Sequence, residues 1–320
     1  MILGKRLPLP SKTLKNIINM KKMKLLVAAL LLVGCSKDNA NSEGENHQSF
    51  VYPKKVVQTY TQKDYEAGKE VVNNYRKEEE NQIENDKILA TTQTIFKNGK
   101  KHEATKIIFF YENDLLKNLV ITDLESGKQT FKGTFSYQDG KLIEKTEERS
   151  NKGGTNIITY TYTYEGDKLV KIEKKRSENS KIIRRFTYPS DNEIKEVEGI
   201  VATDGGPVPP SDEKTYTLDA QKRVVKSVVN NNSVYEYQYD DKKNILHVAW
   251  SLKIFPDYFI DVERMKNNLV HTKLIVDNKE METTQYNYQY HSNGYPVRVV
   301  KDLKRHNESS PETSITEYTY

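Results

Sequence analysis

One hairpin motif recurs along this chain and constrains its fold more than any other feature. Each copy is an alternating strand ending in an aromatic, then a polar turn, then an aliphatic and charged strand. The copies read FFYENDLLKNLVI at 109–121, FSYQDGKLIEKTE at 135–147, YTYEGDKLVKIEKK at 162–175 and FTYPSDNEIKEVE at 186–198. They continue as YTLDAQKRVVKSVV at 216–229, YQYDDKKNILHVAW at 237–250, VERMKNNLVHTKLIV at 262–276 and YQYHSNGYPVRVV at 288–300. TIFKNGKKHEATKIIF at 94–109 is an earlier copy. The aromatics Tyr111, Tyr137, Tyr164, Tyr188, Tyr239 and Tyr290 recur at about 26 residues, or two such intervals, a spacing typical of repeat arrays.

The residue types give the mechanism. Thr, Tyr, Val and Ile suit a pleated strand. Side chains alternate faces, so Tyr160, Tyr162 and Tyr164 share one face and Thr159, Thr161 and Thr163 the other. Asn98-Gly99, Asp139-Gly140 and Asn293-Gly294 supply the positive φ that tight hairpin turns require, and Gly166-Asp167 suits the related turn with Gly first. Pro189 and the unit at 262 depart from this pattern. No stretch from 90 to 320 has helical periodicity. The segment 199–214, GIVATDGGPVPPSDEK, reads as a loop because its prolines cannot join a central strand.

Apolar residues are 36% and charged residues 30% of the chain. That is too few aliphatics for a thick two-layer sandwich. The expected fold is all-β: a long antiparallel meander, curled or closed into a barrel, of about sixteen to eighteen strands. A membrane-spanning barrel is not expected, because Lys, Glu and Asn occur on both faces and a lipid-facing surface is continuously apolar.

The leader decides location. Met20-Lys21-Lys22-Met23-Lys24 is basic, Leu25–Val33 is apolar, and Gly34-Cys35 follows, the layout of a secretory signal. The apolar run is too short for a membrane span. Leu32-Val33-Gly34-Cys35 resembles the lipobox of bacterial lipoproteins, which implies cleavage before Cys35 and acylation of that residue. Cys35 is the sole cysteine, so no intrachain disulfide is available. Residues 1–34 form the leader, with Met20 the expected functional start. Residues 35–53 read as the lipidated Cys and a disordered tether. The charged segment 54–90 stays open between a short helix and more tether, and 91–320 is the repetitive β domain.

Of the 50 basic groups seven lie in residues 1–34, which hold no acidic group, leaving 43 basic against 45 acidic. A basic stripe for nucleic acid is therefore not expected.

The repeats resemble the tyrosine-aspartate hairpins of Rhs-type shell proteins. Signal, tether and repeats together resemble the uncharacterised repetitive β lipoproteins of the Bacteroidota, from Met20 to Tyr320. That resemblance implies an outer-membrane, lipid-anchored protein facing the periplasm or the cell surface.

Catalytic signals are missing from the sequence. No histidine pair has zinc-site helical spacing, and no nucleophile elbow or phosphate loop occurs. No enzyme activity and no cofactor beyond the Cys35 lipid are expected. Asp240-Asp241 reads as turn chemistry. The aromatic inventory of 21 Tyr, 9 Phe and one Trp is the main functional candidate. Cross-strand pairing explains most of these tyrosines. Trp250, Phe255, Tyr258 and Phe259 around Pro256 form the candidate binding patch, with core packing at a sheet corner as the alternative. The leading expectation is a non-catalytic binding or structural lipoprotein with a glycan or protein ligand. A lipid carrier with a curled-sheet groove ranks second, and a carboxylate-based glycan hydrolase third.

Overall fold

A computed structural model describes residues 52–66, 69–151, 153–177, 180–202, 212–245, 266–306, 308 and 310–320. The strands are β1 (Lys55–Glu66), β2 (Lys69–Glu84), β3 (Lys87–Lys97), β4 (Lys100–Glu112), β5 (Leu115–Asp123) and β6 (Gln129–Gln138). They continue as β7 (Lys141–Asn151), β8 (Gly154–Glu165), β9 (Lys168–Ser177), β10 (Ser180–Ser190), β11 (Glu193–Ala202) and β12 (Asp212–Leu218). The last six are β13 (Val224–Val229), β14 (Ser233–Lys243), β15 (Asn267–Val276), β16 (Lys279–Tyr290), β17 (Pro296–Arg305) and β18 (Glu312–Thr319).

All 18 strands form one antiparallel sheet in which each strand pairs with its sequence neighbours, and β1 pairs with β18 as well as β2. That pairing closes the meander into a barrel. Of the two open expectations, curled sheet and barrel, the closed barrel is realised. The segment 54–90 forms neither helix nor tether. It supplies β1, β2 and the start of β3. Its composition is largely polar, and β2 pairs along both edges, with β1 and with β3, which a polar strand can do inside a sheet.

Two-residue turns join many strands. Asn85-Asp86, Asn98-Gly99, Asn113-Asp114 and Asp139-Gly140 have both residues at positive φ, which matches the twist of the flanking strands. At Asn293-Gly294 only Gly294 has positive φ. The connection there is longer, with Gly294 N–H donating to the His291 carbonyl at 2.9 Å.

The register assigns the two faces. Partners across an antiparallel ladder share a face. Followed strand by strand, Phe109, Leu119, Phe131, Tyr162, Ile172, Phe186 and Tyr216 all point inward, where they form one core. The outward face carries Lys106, Thr122, Lys132, Thr146, Thr161, Lys171, Lys195, Lys226, Glu236 and Lys273. In a membrane barrel the outward band is apolar. In this barrel the apolar and aromatic core lies within, and the outward face is largely charged and polar, with Val72, Phe110 and Ile157 exposed on it. A round 18-stranded barrel leaves a wet lumen. Here buried side chains from Ile88 on β3 to Val224 on β13 pack together as one core on the inward face.

The first and last strands fix two distinct rims. β1 begins and β18 ends at one rim, here the terminal rim, together with the β4–β5, β6–β7 and β8–β9 turns. Buried Ile88, Leu116, Leu142, Leu169 and Val224 pack just inside it, each less than 5% exposed. The β1–β2 and β3–β4 turns lie at the opposite, distal rim.

A repeated clasp builds the terminal rim. An extra residue sits in the odd-numbered strand soon after each terminal-rim turn except the one into β11: Leu89, Lys117, Ile143, Val170, Val225, Val270 and Val297. Such a bulge disrupts the ladder beside it. The carbonyl just before the bulge accepts from a tyrosine hydroxyl of the next hairpin. The pairs are Tyr111 to Ile88 (3.1 Å), Tyr164 to Leu142 (3.0 Å), Tyr188 to Leu169 (2.8 Å) and Tyr239 to Val224 (2.7 Å). Tyr288 to Leu269 (2.9 Å) and Tyr320 to Pro296 (2.9 Å) complete the set. The residue preceding that carbonyl often covers the same ring. Lys87, Lys141, Lys168 and Arg223 lie 5.4, 5.7, 5.1 and 5.0 Å from the centroids of Tyr111, Tyr164, Tyr188 and Tyr239. One Lys-aliphatic dipeptide thus holds the tyrosine about twenty residues later by its ring and its hydroxyl.

Candidate functional site

The tyrosine ladder at Tyr160, Tyr162 and Tyr164 belongs to the scaffold. Tyr162 is buried in the core, Tyr164 is clasped, and Tyr160 lies between the ammonium groups of Lys145 (4.2 Å) and Lys174 (5.1 Å). Cys35, Trp250, Phe255, Tyr258 and Phe259 lie outside the described residues, as does the proline-rich part of the 199–214 loop.

Asp240-Asp241 is not a turn. Both residues lie within β14, and the Asp240 carboxylate accepts from the Asn268 N–H at 3.0 Å and from the Tyr290 hydroxyl. Arg223 donates to the Asp240 carbonyl at 3.2 Å and to the Asn267 side chain at 3.0 Å. These contacts pin β14 to β15 at the terminal rim. Among the described residues no group of three His, Cys, Asp or Glu is placed to hold a metal ion.

The interior carries buried charge. Glu196 is 1% exposed and accepts from Arg184 (2.7 Å), the Tyr216 hydroxyl (2.7 Å) and Lys214 (3.5 Å). Burial works to raise its carboxyl, but these partners outweigh burial and hold it below the usual carboxylate range. Glu147 behaves alike between Lys145 (3.3 Å) and Arg149 (2.8 Å). On β2, Lys77 and Glu79 pair at 2.6 Å, and Gln93 donates to Glu79 at 2.9 Å. Each of the three buried carboxylates is thus matched by at least one cation.

The wall from β14 round to β2 differs from the packed half. Its inward face carries Tyr235, Tyr286, Tyr288, Tyr318, Tyr60 and Tyr75, all half-buried. They stack along and across strands: Tyr235 on Tyr237 at 6.4 Å, Tyr286 on Tyr288 at 6.4 Å, Tyr288 on Tyr290 at 5.7 Å and Tyr60 on Tyr75 at 5.3 Å. Burial raises the phenols of Tyr288 and Tyr318, so they stay neutral and keep their protons.

One register line crosses this wall. Tyr286 pairs with Lys301, Lys301 with Ser314, Ser314 with Tyr60, Tyr60 with Tyr75, and Tyr75 with Lys97. All six side chains point inward and all are half-buried. The next line toward the terminal rim includes Val299, Lys77 and Ile95, which are buried. Lys97 ends β3 and Ser314 lies near the start of β18, so the line sits just inside the distal rim. Lys301 lies 5.6 Å from the Tyr286 ring centroid and Lys97 lies 5.9 Å from that of Tyr75.

Asp64 anchors the line at β1 and β2. It accepts from the Tyr75 hydroxyl (2.6 Å), Gln62 (2.7 Å) and Asn73 (2.8 Å), with Lys97 at 3.4 Å. Burial works to raise its carboxyl; the Tyr75, Gln62 and Asn73 hydrogen bonds and Lys97 overcome that and lower it. A concavity of about 290 Å³ adjoins the line where the β1–β18 ladder ends, lined by Gln62, Glu312, Thr61, Lys63, Val72 and Pro311 among others. Sequence reasoning counted the tyrosines but singled out neither Tyr60 nor Tyr75 and did not find the line, because its six members come from residues 60 to 314.

No protein-family model matches the chain, and no curated protein matches it. Among solved structures it is similar to a porin-like protein from Bacteroides uniformis ATCC 8492, at 15% identity and a TM-score of 0.42, covering 83% of this chain and 96% of that one. It is also similar to a porin-like protein from Bacteroides vulgatus ATCC 8482, at 15% identity and a TM-score of 0.35, covering 84% and 98%. These values are too low to assign a family.

Proposed function

We propose that this chain is an outer-membrane lipoprotein whose barrel stands in water and binds a ligand without catalysis. The observation that carries this reading is the polarity of the barrel. Its outward charges suit water rather than lipid, so attachment to a membrane falls to the acylated Cys35. The leader, with its lipobox at Leu32–Cys35, supports the same assignment. β1 starts at the terminal rim, so a tether from Cys35 joins the barrel at that rim. The half-buried tyrosine line then opens at the rim farther from the anchor. Stacked phenols with neutral hydroxyls are a surface for ligands that present both apolar faces and hydrogen-bonding groups.

Replacement of Cys35 by Ala tests the anchor. The Cys35→Ala protein should leave the membrane fraction and appear soluble. Retention on membranes after high-salt washing would sink the reading. Native mass spectrometry of the purified full-length protein tests the binding half, through retained non-covalent mass.

A further inference from the structure

We infer that the line Tyr286–Lys301–Ser314–Tyr60–Tyr75–Lys97 is a subsite for an acidic oligosaccharide, with a sugar carboxylate at Lys301. This deepens the ligand-binding reading above and rests on it.

The line has the alternation that a sugar chain requires. Pyranose rings present apolar C–H faces and a rim of hydroxyls. Tyr60 and Tyr75 offer adjoining ring faces at 5.3 Å with an interplanar angle of 10°. Ser314 and the neighbouring Gln58 and Gln62 offer hydrogen-bonding side chains. The six residues span five strand spacings, about 24 Å, which suits an oligosaccharide rather than a single sugar.

Charge sets the ligand class. Lys97 is answered by Asp64 at 3.4 Å. Lys301 contacts the Tyr286 ring but has no carboxylate partner among the described residues. The inward carboxylates of the flanking strands, Glu282 and Glu312, turn instead to Arg305, at 3.5 and 2.8 Å. An ammonium that is half-buried on an inward wall is stabilised by an anion brought to it. A uronic-acid unit supplies that anion, and its neighbours in the chain reach the Tyr60–Tyr75 surface about two strand spacings, ~10 Å, away.

The full-length lipidated protein, purified in detergent, is titrated with tetragalacturonate and with maltotetraose as the neutral chain of equal length. Lys301→Gln should weaken tetragalacturonate binding about tenfold, the worth of one charge-assisted hydrogen bond, and leave any maltotetraose binding unchanged. Tyr60→Leu should weaken both sugars. A thermal melt of each variant confirms that it is folded, and Lys301→Met serves if Lys301→Gln is not. Unchanged tetragalacturonate affinity in folded Lys301 variants overturns the subsite. Failure of the wild type to bind tetragalacturonate overturns the ligand class. If native mass spectrometry still finds another retained ligand, the binding reading survives that failure; if it finds none, both fall.

Discussion

The Tyr164 hydroxyl donates to the Leu142 carbonyl at 3.0 Å, and Leu142 is the residue just before the Ile143 bulge of β7. The bulge explains the bond. An inserted residue leaves a ladder carbonyl in need of a donor, and the phenol of the next hairpin supplies one. Tyr137 occupies the same place one hairpin earlier, next to the Lys117 bulge, but its buried hydroxyl has no hydrogen-bond partner. There the dipeptide before the bulge is Leu115-Leu116 in place of a Lys-aliphatic pair, and Lys117 itself lies 5.9 Å from the ring centroid. Two identical substitutions should therefore differ. Tyr164→Phe should cost about 1 kcal/mol, the net value of a hydrogen bond. Tyr137→Phe should be neutral or stabilising, since it removes an unsatisfied buried hydroxyl. Denaturant melts of the two variants check the pair, and equal losses would refute the clasp.

Gly133 is an inward position where the core has no room. A Cβ there would meet the Leu119, Phe131 and Phe135 side chains, each at 3.3 Å. Gly133→Ala should destabilise the barrel by about 1–3 kcal/mol through overpacking. Thermal unfolding measures it, and a Tm equal to wild type would show that the three side chains can give way.

The buried carboxylates make acid stability predictable. Glu147 and Glu196 are held below the ordinary carboxylate value in the folded state. A depressed folded pKa contributes stability that is present above the unfolded value, about 4.3, and is lost as pH falls through the folded value. The Tm should therefore decline as pH drops below about 4. Glu196→Gln should lower Tm at neutral pH and flatten that decline. Tyr75 works at the other end. Burial and its bond to Asp64 push its phenol up to about 12. Its contribution is complete below the unfolded value, about 10, and is lost as pH rises from there through about 12. Tyr75→Phe should reduce the alkaline loss. A Tm profile across pH for the three proteins reads both limbs.

What could be read from sequence follows the range of the physics involved. Alternation at Thr159–Tyr164 put the tyrosines on one face and the threonines on the other, because strand periodicity is local, while which face is inward came only with the fold. β2 was not legible, because its inward residues Lys77 and Glu79 satisfy each other at 2.6 Å and no alternation of polarity marks them. The bulges hid the inward positions of the odd strands. Across each one the inward residues fall three apart, as in Leu116 and Leu119, so period two fails there. Asp240 reads as a turn residue by type, and only the approach of Asn268 and Tyr290 makes it structural. The inward line at the distal rim depends on closure between β1 and β18, which no local pattern encodes.

The lapse in the repeat at β11 and β12 separates the bulge account from simple repeat consensus. Consensus would place a tyrosine at Leu218 and a lysine at Glu193. Yet the β10–β11 and β11–β12 ladders show no single-residue bulge after Ile194, so no carbonyl is freed there. Leu218 instead packs against the core as a plain apolar side chain. Leu218→Tyr, alone or with Glu193→Lys, should bring no rise in Tm, and burial of an unanswered hydroxyl should cost about 1–3 kcal/mol. A clear gain in the double variant would mean that the Lys-aliphatic dipeptide alone, without a bulge, suffices to hold the tyrosine. The converse change tests the other side: Leu142→Pro should weaken β7 by removing the ladder N–H beside the bulge, while leaving the carbonyl that Tyr164 uses, as Pro296 already does for Tyr320 at 2.9 Å.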